Sequence, residues 1–291
     1  MSSESGSPEM TKPGWEVVVP NLGKRTQELI KLEPRIGRLK SITLLERLFP
    51  GSDRGLILFP GGFDADTDDG ALELGSERRM SVFHVKYSPD SSFSIQREVA
   101  QVLDHAQLRG VKRFNLIAGS WGGIPALNAA YSLIEEGTCK VESIFMVAAA
   151  LQPSDLAPMI KRGAAMTDWA LKAKISFPGR QFLARFSRGV PDFQYNDPEA
   201  LRTLAGVPAL FLLPPGGKDW WVDARRSYRK YFSGGVQIEY PQPYSDLVGK
   251  VRTMGGHDSK SVFPGIRQIE KAFLDDPSKA PLLPRGFKLL S

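Results

Sequence analysis

The sequence predicts an α/β protein with a mostly parallel eight-stranded sheet and helices on both faces. Short, almost wholly apolar runs recur along the chain and are typical of strands that are buried on both faces. Between them lie segments whose apolar residues repeat every three or four positions, which is the period of an amphipathic helix. Strands that alternate with helices form parallel sheets.

The order of these elements indicates where a functional site should be sought. Ligands of parallel sheets bind outside the carboxyl ends of the strands, so the loops that follow strands are the first candidates. Three helices are expected: one over 95–108, after the fourth strand; one in the segment that follows the fifth strand; and one over about 264–274. The eight strands are expected over 15–19, 41–45, 55–59, 80–85, 114–118, 141–148, 208–213 and 236–240.

Composition favours one globular domain. The chain has 291 residues, of which 42% are hydrophobic and 24% charged, as in ordinary globular proteins. We expect a disordered tail over 1–13, which is polar, and a single domain over 14–291. Residues 152–206 separate the sixth and seventh strands by more than one helix requires. This insertion is expected to form a cap over the carboxyl edge of the sheet.

Charge and cysteine content argue against several classes of protein. The net charge is +6, but Lys and Arg are scattered and no zinc-ligand spacing or basic helix accompanies them, so nucleic-acid binding is not expected. Cys139 is the single cysteine and cannot form an internal disulfide. No apolar run reaches the roughly 20 residues of a membrane span. The N-terminus lacks the apolar core of a signal peptide, so a cytoplasmic protein is expected.

One serine lies between a predicted strand and a predicted helix. Residues 116–123 read LIAGSWGG, with Ser120 in the tightest part of the turn. Gly119 and Gly122 leave room for a strained backbone, and Gly123 allows close packing. A strand-to-helix turn of this kind exposes a serine hydroxyl at the end of a sheet.

A serine needs a base and an orienting acid to act as a nucleophile near neutral pH. Of the three histidines, His257 lies in a glycine loop after the eighth strand, at the expected edge of the sheet. Asp219 follows the seventh strand and could orient the imidazole. Two other carboxylates remain open as the acid: Asp223, one helical turn further on, and Asp155, just past the sixth strand.

The third strand ends on the same rim, in the residues PGGF at 60–63. The backbone N–H of Gly62, with Phe63 as the alternative donor, would form an oxyanion hole together with the N–H of Trp121. The substrate pocket is expected to be lined by Phe63, Trp121 and Trp220.

These motifs together resemble the α/β-hydrolase fold family over about residues 15–275. The resemblance implies that Ser120 is the nucleophile, His257 the general base and Asp219 its partner. The motifs are AGSWG at 118–122, PGG at 60–62, GGKD at 216–219 and GGH at 255–257.

The chain departs from the family pattern at three positions. Family members most often begin the serine turn with glycine and often carry histidine before the serine, where this chain has Ala118 and Gly119. They commonly have histidine before the glycine of the oxyanion turn, where this chain has Pro60. No subfamily is indicated.

The implied activity is hydrolysis of a carboxylic ester, thioester or lactone through an acyl-enzyme on Ser120. The expected partner is a small-molecule acyl substrate, with no cofactor and no metal. Two alternatives remain open. The same three residues could serve acyl transfer, cyclisation or lyase chemistry, or the pocket could belong to a non-catalytic ligand sensor.

Overall fold

The computed structural model describes seven stretches of the chain, which are residues 14–34, 42–61, 69–86, 95–156, 195–215, 223–241 and 263–290. The strands are β1 Glu16–Val18, β2 Thr43–Arg47, β3 Arg54–Phe59, β4 Ser81–Lys86, β5 Arg113–Gly119, β6 Lys140–Val147, β7 Ala209–Leu213, β8 Val236–Glu239 and β9 Lys288–Leu290. The helices are α1 Lys24–Leu32, α2 Asp69–Glu77, α3 Ile95–Leu108, α4 Gly123–Glu136, α5 Pro198–Ala205, α6 Arg225–Tyr231 and α7 Phe263–Asp275.

The nine strands of the described stretches form one sheet in the order β1-β2-β4-β3-β5-β6-β7-β8-β9. The six strands β4, β3, β5, β6, β7 and β8 are parallel to their neighbours in this series. Only the edges are antiparallel, with β2 running against β1 and β4, and β9 against β8. The prediction of a mostly parallel sheet is confirmed, with one strand more than the eight expected.

The central strands are apolar on both faces because the sheet separates two apolar clusters. In β5, Leu116 belongs to one cluster and Ile117 to the other. In β7, Phe211 and Leu212 divide in the same way. Helices α3, α4 and α6 cover the first cluster, and α2 and α7 cover the second. This alternation explains why the strands read as continuous apolar runs in the sequence.

The eight predicted strands correspond to β1–β8 with ends that agree within two residues. The ninth, β9, has three residues and pairs only at the edge of the sheet. Helix α1 was not predicted because polar contacts hold it: Thr26 is its buried residue, and its hydroxyl donates to Asp104 at 2.8 Å. Arg25 adds an ion pair with Asp104 at 3.2 Å and another with Glu136.

Helix α5 falls inside the predicted cap, of which the structure describes 152–156 and 195–206. Asp197 caps this helix by accepting the N–H of Glu199 at 2.8 Å, and Pro198 occupies its first turn. Both are ordinary features of a helix start. The remainder of the predicted cap, at 157–194, and the predicted tail at 1–13 lie outside the described residues, so both stay predictions.

Strand β2 carries a buried carboxylate, Glu46. It accepts hydrogen bonds from Nε2 of His105 at 2.7 Å and from Nη2 of Arg109 at 2.6 Å. Burial raises the pKa of Glu46, but the hydrogen bonds and charges of His105 and Arg109 outweigh burial and lower it. His105 therefore has a structural role on α3.

Candidate active site

The turn around Ser120 joins β5 directly to α4. Strand β5 ends at Gly119, the residues Ser120–Gly122 form a single 3₁₀ turn, and α4 begins at Gly123. Ser120 has φ +50°, in the left-handed region, and is partly exposed. A non-glycine residue in that region carries strain of about 1–2 kcal/mol. The turn therefore has the strained backbone that the glycine pattern predicted.

Two glycines in this turn have no room for a side chain. A Cβ added at Gly122 would lie 2.1 Å from the carbonyl oxygen of Phe59, and one at Gly123 would lie 2.3 Å from that of Ala150. At Gly119, by contrast, the nearest atom would be the carbonyl oxygen of Val147 at 3.9 Å. The turn is thus pressed between the loop after β3 and the loop after β6, and it requires glycine at 122 and 123 but not at 119.

The loop after β3 contacts the serine itself. Gly61 is buried, and a Cβ built on it would lie 3.1 Å from Cβ of Ser120 and 3.8 Å from its Oγ. This described stretch ends at Gly61, one residue before Gly62, the predicted oxyanion donor. Gly61 itself therefore lies beside the predicted nucleophile.

Trp121 follows the serine and has two predicted roles, as a backbone donor and as a wall of the pocket. Its indole is 1% exposed and belongs to the apolar cluster on the face covered by α3 and α4. The side chain is thus part of the core, in the same apolar cluster as Phe59 and Ile124. Its contact with substrate stays a prediction.

Asp155 was one of the open choices for the acid, and its carboxylate is already saturated. Oδ2 accepts the N–H groups of Leu151 at 2.9 Å and Gln152 at 3.2 Å. Oδ1 accepts the hydroxyl of Ser227 at 2.5 Å and the side-chain amide of Gln152 at 3.4 Å. Burial raises the pKa of Asp155, and the hydrogen bonds that it accepts act in the opposite direction. Since a carboxylate has about four acceptor positions, these contacts argue against a bond to an imidazole.

Asp223, the other open choice, precedes α6 rather than lying on it, because that helix begins at Arg225. Its side chain is exposed, and its backbone N–H donates to the carbonyl oxygen of Asp155 at 2.8 Å. This bond ties the start of α6 to the loop after β6.

The remaining predicted site residues lie outside the described residues: Gly62, Phe63, Asp219, Trp220 and His257. Asp219 belongs to the connection between β7 and α6, and His257 to the connection between β8 and α7. Strands β7 and β8 run parallel to β5 through β6. Both connections therefore leave the sheet at the edge where Ser120 lies.

Two further properties concern the described part of the chain alone. Within it, no group of three or more His, Cys, Asp or Glu side chains is arranged to hold a metal ion. None of the helices in the same stretches has the length and hydrophobicity needed to cross a membrane.

Solved structures of similar fold include several esterases and hydrolases. Carboxylesterase CesB from Bacillus subtilis is 14% identical, with 89% of this chain and 91% of that chain covered and a TM-score of 0.54. MGS-M2, an α/β-hydrolase enzyme from a Medee basin deep-sea metagenome library, is 12% identical, with 84% and 98% covered and a TM-score of 0.56. An esterase from Pyrococcus furiosus is 12% identical, with 90% of each chain covered and a TM-score of 0.51.

No protein-family model matches the sequence, and no curated protein is significantly similar to it. At identities of 12–14%, the structural similarities establish the fold rather than the reaction. The same fold is indicated by the strand order, the parallel centre of the sheet, the strained serine after β5 and these neighbours. The chain has the α/β-hydrolase fold.

Proposed function

We propose that this protein is a serine hydrolase that cleaves a carboxylic ester, thioester or lactone through an acyl-enzyme on Ser120. The observation that carries the proposal is the state of Ser120: left-handed at φ +50°, partly exposed, and in contact with the loop after β3. Backbone strain persists only where surrounding contacts enforce it, and it concentrates at functional sites. That two of the structural neighbours are an esterase and a carboxylesterase supports the reaction class.

In the proposed reaction, Oγ of Ser120 attacks the carbonyl carbon of the substrate while His257 takes the hydroxyl proton. Collapse of the tetrahedral intermediate breaks the bond to the leaving oxygen or sulfur, which receives that proton from His257. Water then attacks the acyl-enzyme and gives a proton to His257. Collapse of this second intermediate breaks the bond to Oγ of Ser120, which takes that proton back from His257, and releases the carboxylic acid. Asp219 holds the imidazole in the required tautomer and stabilises its charged form.

The negative charge of the intermediate falls on the former carbonyl oxygen. The proposed donors for it are the backbone N–H groups of Trp121 and Gly62, from the two loops that meet at Ser120. The close contact between Gly61 and Ser120 supports this pairing, because it brings the second loop beside the nucleophile. Loss of one such donor typically lowers turnover by about 10²–10³.

A fluorophosphonate probe tests the proposal, since it reacts covalently with activated serines. We expect one adduct per chain, and we expect peptide mass analysis to locate it on Ser120. Absence of that adduct after prolonged incubation would contradict the proposal.

Turnover of p-nitrophenyl acyl esters, followed after labelling is established, separates hydrolysis from acyl transfer. Continuous release of p-nitrophenol is expected for a hydrolase. A burst of one equivalent, with slow release afterwards that a second nucleophile accelerates, would instead assign the acyl-enzyme to a transferase.

A further inference from the structure

Tyr228 on α6 is a buried residue that none of the sequence motifs includes. We propose that it is a positioning residue for the turn around Ser120, on which it acts through the loop after β6. The inference rests on the proposed function of Ser120, because it concerns the reactivity of that hydroxyl. It adds a residue outside the proposed Ser-Asp-His set, on helix α6.

The loop after β6 contacts the serine turn directly. The N–H of Ala150 donates to the carbonyl oxygen of Ser120 at 2.9 Å. A Cβ at Gly123 would lie 2.7 Å from Cβ of Ala149 and 2.3 Å from the carbonyl oxygen of Ala150. There is thus no free space between this loop and the start of α4. The hydrogen bond and this close packing couple the position of Ala149 and Ala150 to the backbone of Ser120.

This loop is strained in the same way as the turn that it supports. Ala148 has φ +45° and Ser120 has φ +50°. Within the described stretches, the one other non-glycine residue with positive φ is Arg79. These two strained residues are linked by the hydrogen bond from Ala150 to Ser120. They need contacts from the rest of the fold to keep their conformation. One such contact is the N–H of Ala148, which donates to the carbonyl oxygen of Leu212 at 2.8 Å.

Tyr228 supplies a second contact. Its side chain is 0% exposed, and its hydroxyl donates to the carbonyl oxygen of Ala149 at 2.5 Å. Its ring stacks on Phe211 of β7, with centroids 4.1 Å apart and planes at 17°. A ring fixed on the central sheet holds its hydroxyl in one place, so the hydrogen bond holds the carbonyl of Ala149 and, through the next residue, Ser120.

Tyr231 on the same helix provides a matched control. It is 4% exposed, and its hydroxyl donates to Oε1 of Gln152 at 3.1 Å, in the same loop. The acceptor, however, is a side chain whose amide bonds Ser227 and Asp155, not the serine turn. Tyr228→Phe and Tyr231→Phe each remove one buried hydroxyl and its hydrogen bond, but only the first removes a bond to the backbone beside Ser120.

The test compares both variants with the wild-type full chain, at a temperature about 20 °C below the lowest unfolding midpoint. Two quantities are measured: steady-state kinetics with a p-nitrophenyl ester, and hydrogen exchange of the Ala150 amide. Tyr228→Phe is expected to lower kcat about tenfold with KM within about twofold, and to speed Ala150 exchange about tenfold, the factor expected for one hydrogen bond. Tyr231→Phe should leave both quantities near the wild-type values.

Equal losses of kcat in the two variants, or unchanged Ala150 exchange in Tyr228→Phe, would overturn the inference and leave Tyr228 as a packing residue. Failure of the proposed function has a different signature. In that case the wild type itself shows no turnover, and Ala150 exchange in Tyr228→Phe still decides whether this hydroxyl holds the serine turn.

Discussion

The substitution Gly122→Ala is expected to destabilise the protein strongly, whereas Gly119→Ala, three positions earlier, should be nearly neutral. At Gly122 the added Cβ would lie 2.1 Å from the carbonyl oxygen of Phe59 and 2.6 Å from that of Pro60. Both obstacles are backbone atoms at the end of β3, which is hydrogen-bonded to β4 and β5. Neither can rotate away as a side chain would.

The size of the effect follows from these contacts. Overpacking costs about 1–3 kcal/mol, and two backbone obstacles place Gly122→Ala at the upper end, near 3 kcal/mol. For a domain of this size, about 2–4 °C of midpoint is lost per kcal/mol, so the unfolding midpoint should fall by about 6–12 °C. Gly119 has φ −124° and 3.9 Å of clearance, so its alanine should change stability by less than about 0.5 kcal/mol.

Thermal unfolding of the two variants, followed by circular dichroism and repeated in denaturant, measures this difference. Equal midpoints would mean that the serine turn can move away from the loop after β3. The inference that the end of β3 and Gly61 are held against the serine turn would then lose its physical basis.

Three further predictions concern carboxylates. Burial raises the pKa of Asp155, so the folded state binds its proton more tightly than the unfolded chain does. The free energy of unfolding should therefore fall as pH rises above about 4. Denaturant titrations at several pH values should show that Asp155→Asn removes this pH dependence. The pKa of Glu46 is lowered, so its contribution to stability should have the opposite pH dependence. It should be present near neutral pH and lost on acidification. Glu46→Gln should remove that dependence and cost about 3 kcal/mol at pH 7, because it takes a buried carboxylate away from the buried His105 and the half-exposed Arg109. In steady-state kinetics, Asp219→Asn should lower kcat by about 10⁴, whereas Asp223→Asn and Asp155→Asn should stay within about tenfold of wild type. If Asp155→Asn instead abolished activity, the orienting acid would lie in the loop after β6.

Much of the fold could be predicted because apolar burial on two faces leaves a direct record in the sequence. Runs such as the one in β7 have no polar position, and the helix over 95–108 repeats its apolar residues with a clear period. Helix α1 has no such record, since it is attached by Arg25 and Thr26 to partners more than 70 residues away. The three exposed or half-exposed residues of β9 carry too weak a pattern to predict an edge strand.

The serine turn could also be predicted, because glycine and serine between a strand and a helix are local features. The long-range contacts that hold the loop next to this turn could not be predicted. The carbonyl that Tyr228 holds is 79 residues away in the chain, and the sequence offers no periodic signal for a tyrosine hydroxyl that bonds a loop. The hydrogen bonds of Asp155 could not be predicted either. Its position after β6 was apparent, but the hydroxyl of Ser227 that donates to its carboxylate comes from a helix distant in the sequence.

The central claim is that Ser120 is the nucleophile, and the most direct test is the ester hydrolysis rate of Ser120→Ala beside that of Ser132→Ala. Ser132 lies on α4, one residue after Tyr131, and serves as a control for the same chemical change on the helix that follows the turn. The account predicts a loss of about 10⁴ or more in kcat/KM for Ser120→Ala, with an unchanged unfolding midpoint, and a wild-type rate for Ser132→Ala. A rate for Ser120→Ala within tenfold of wild type would contradict it.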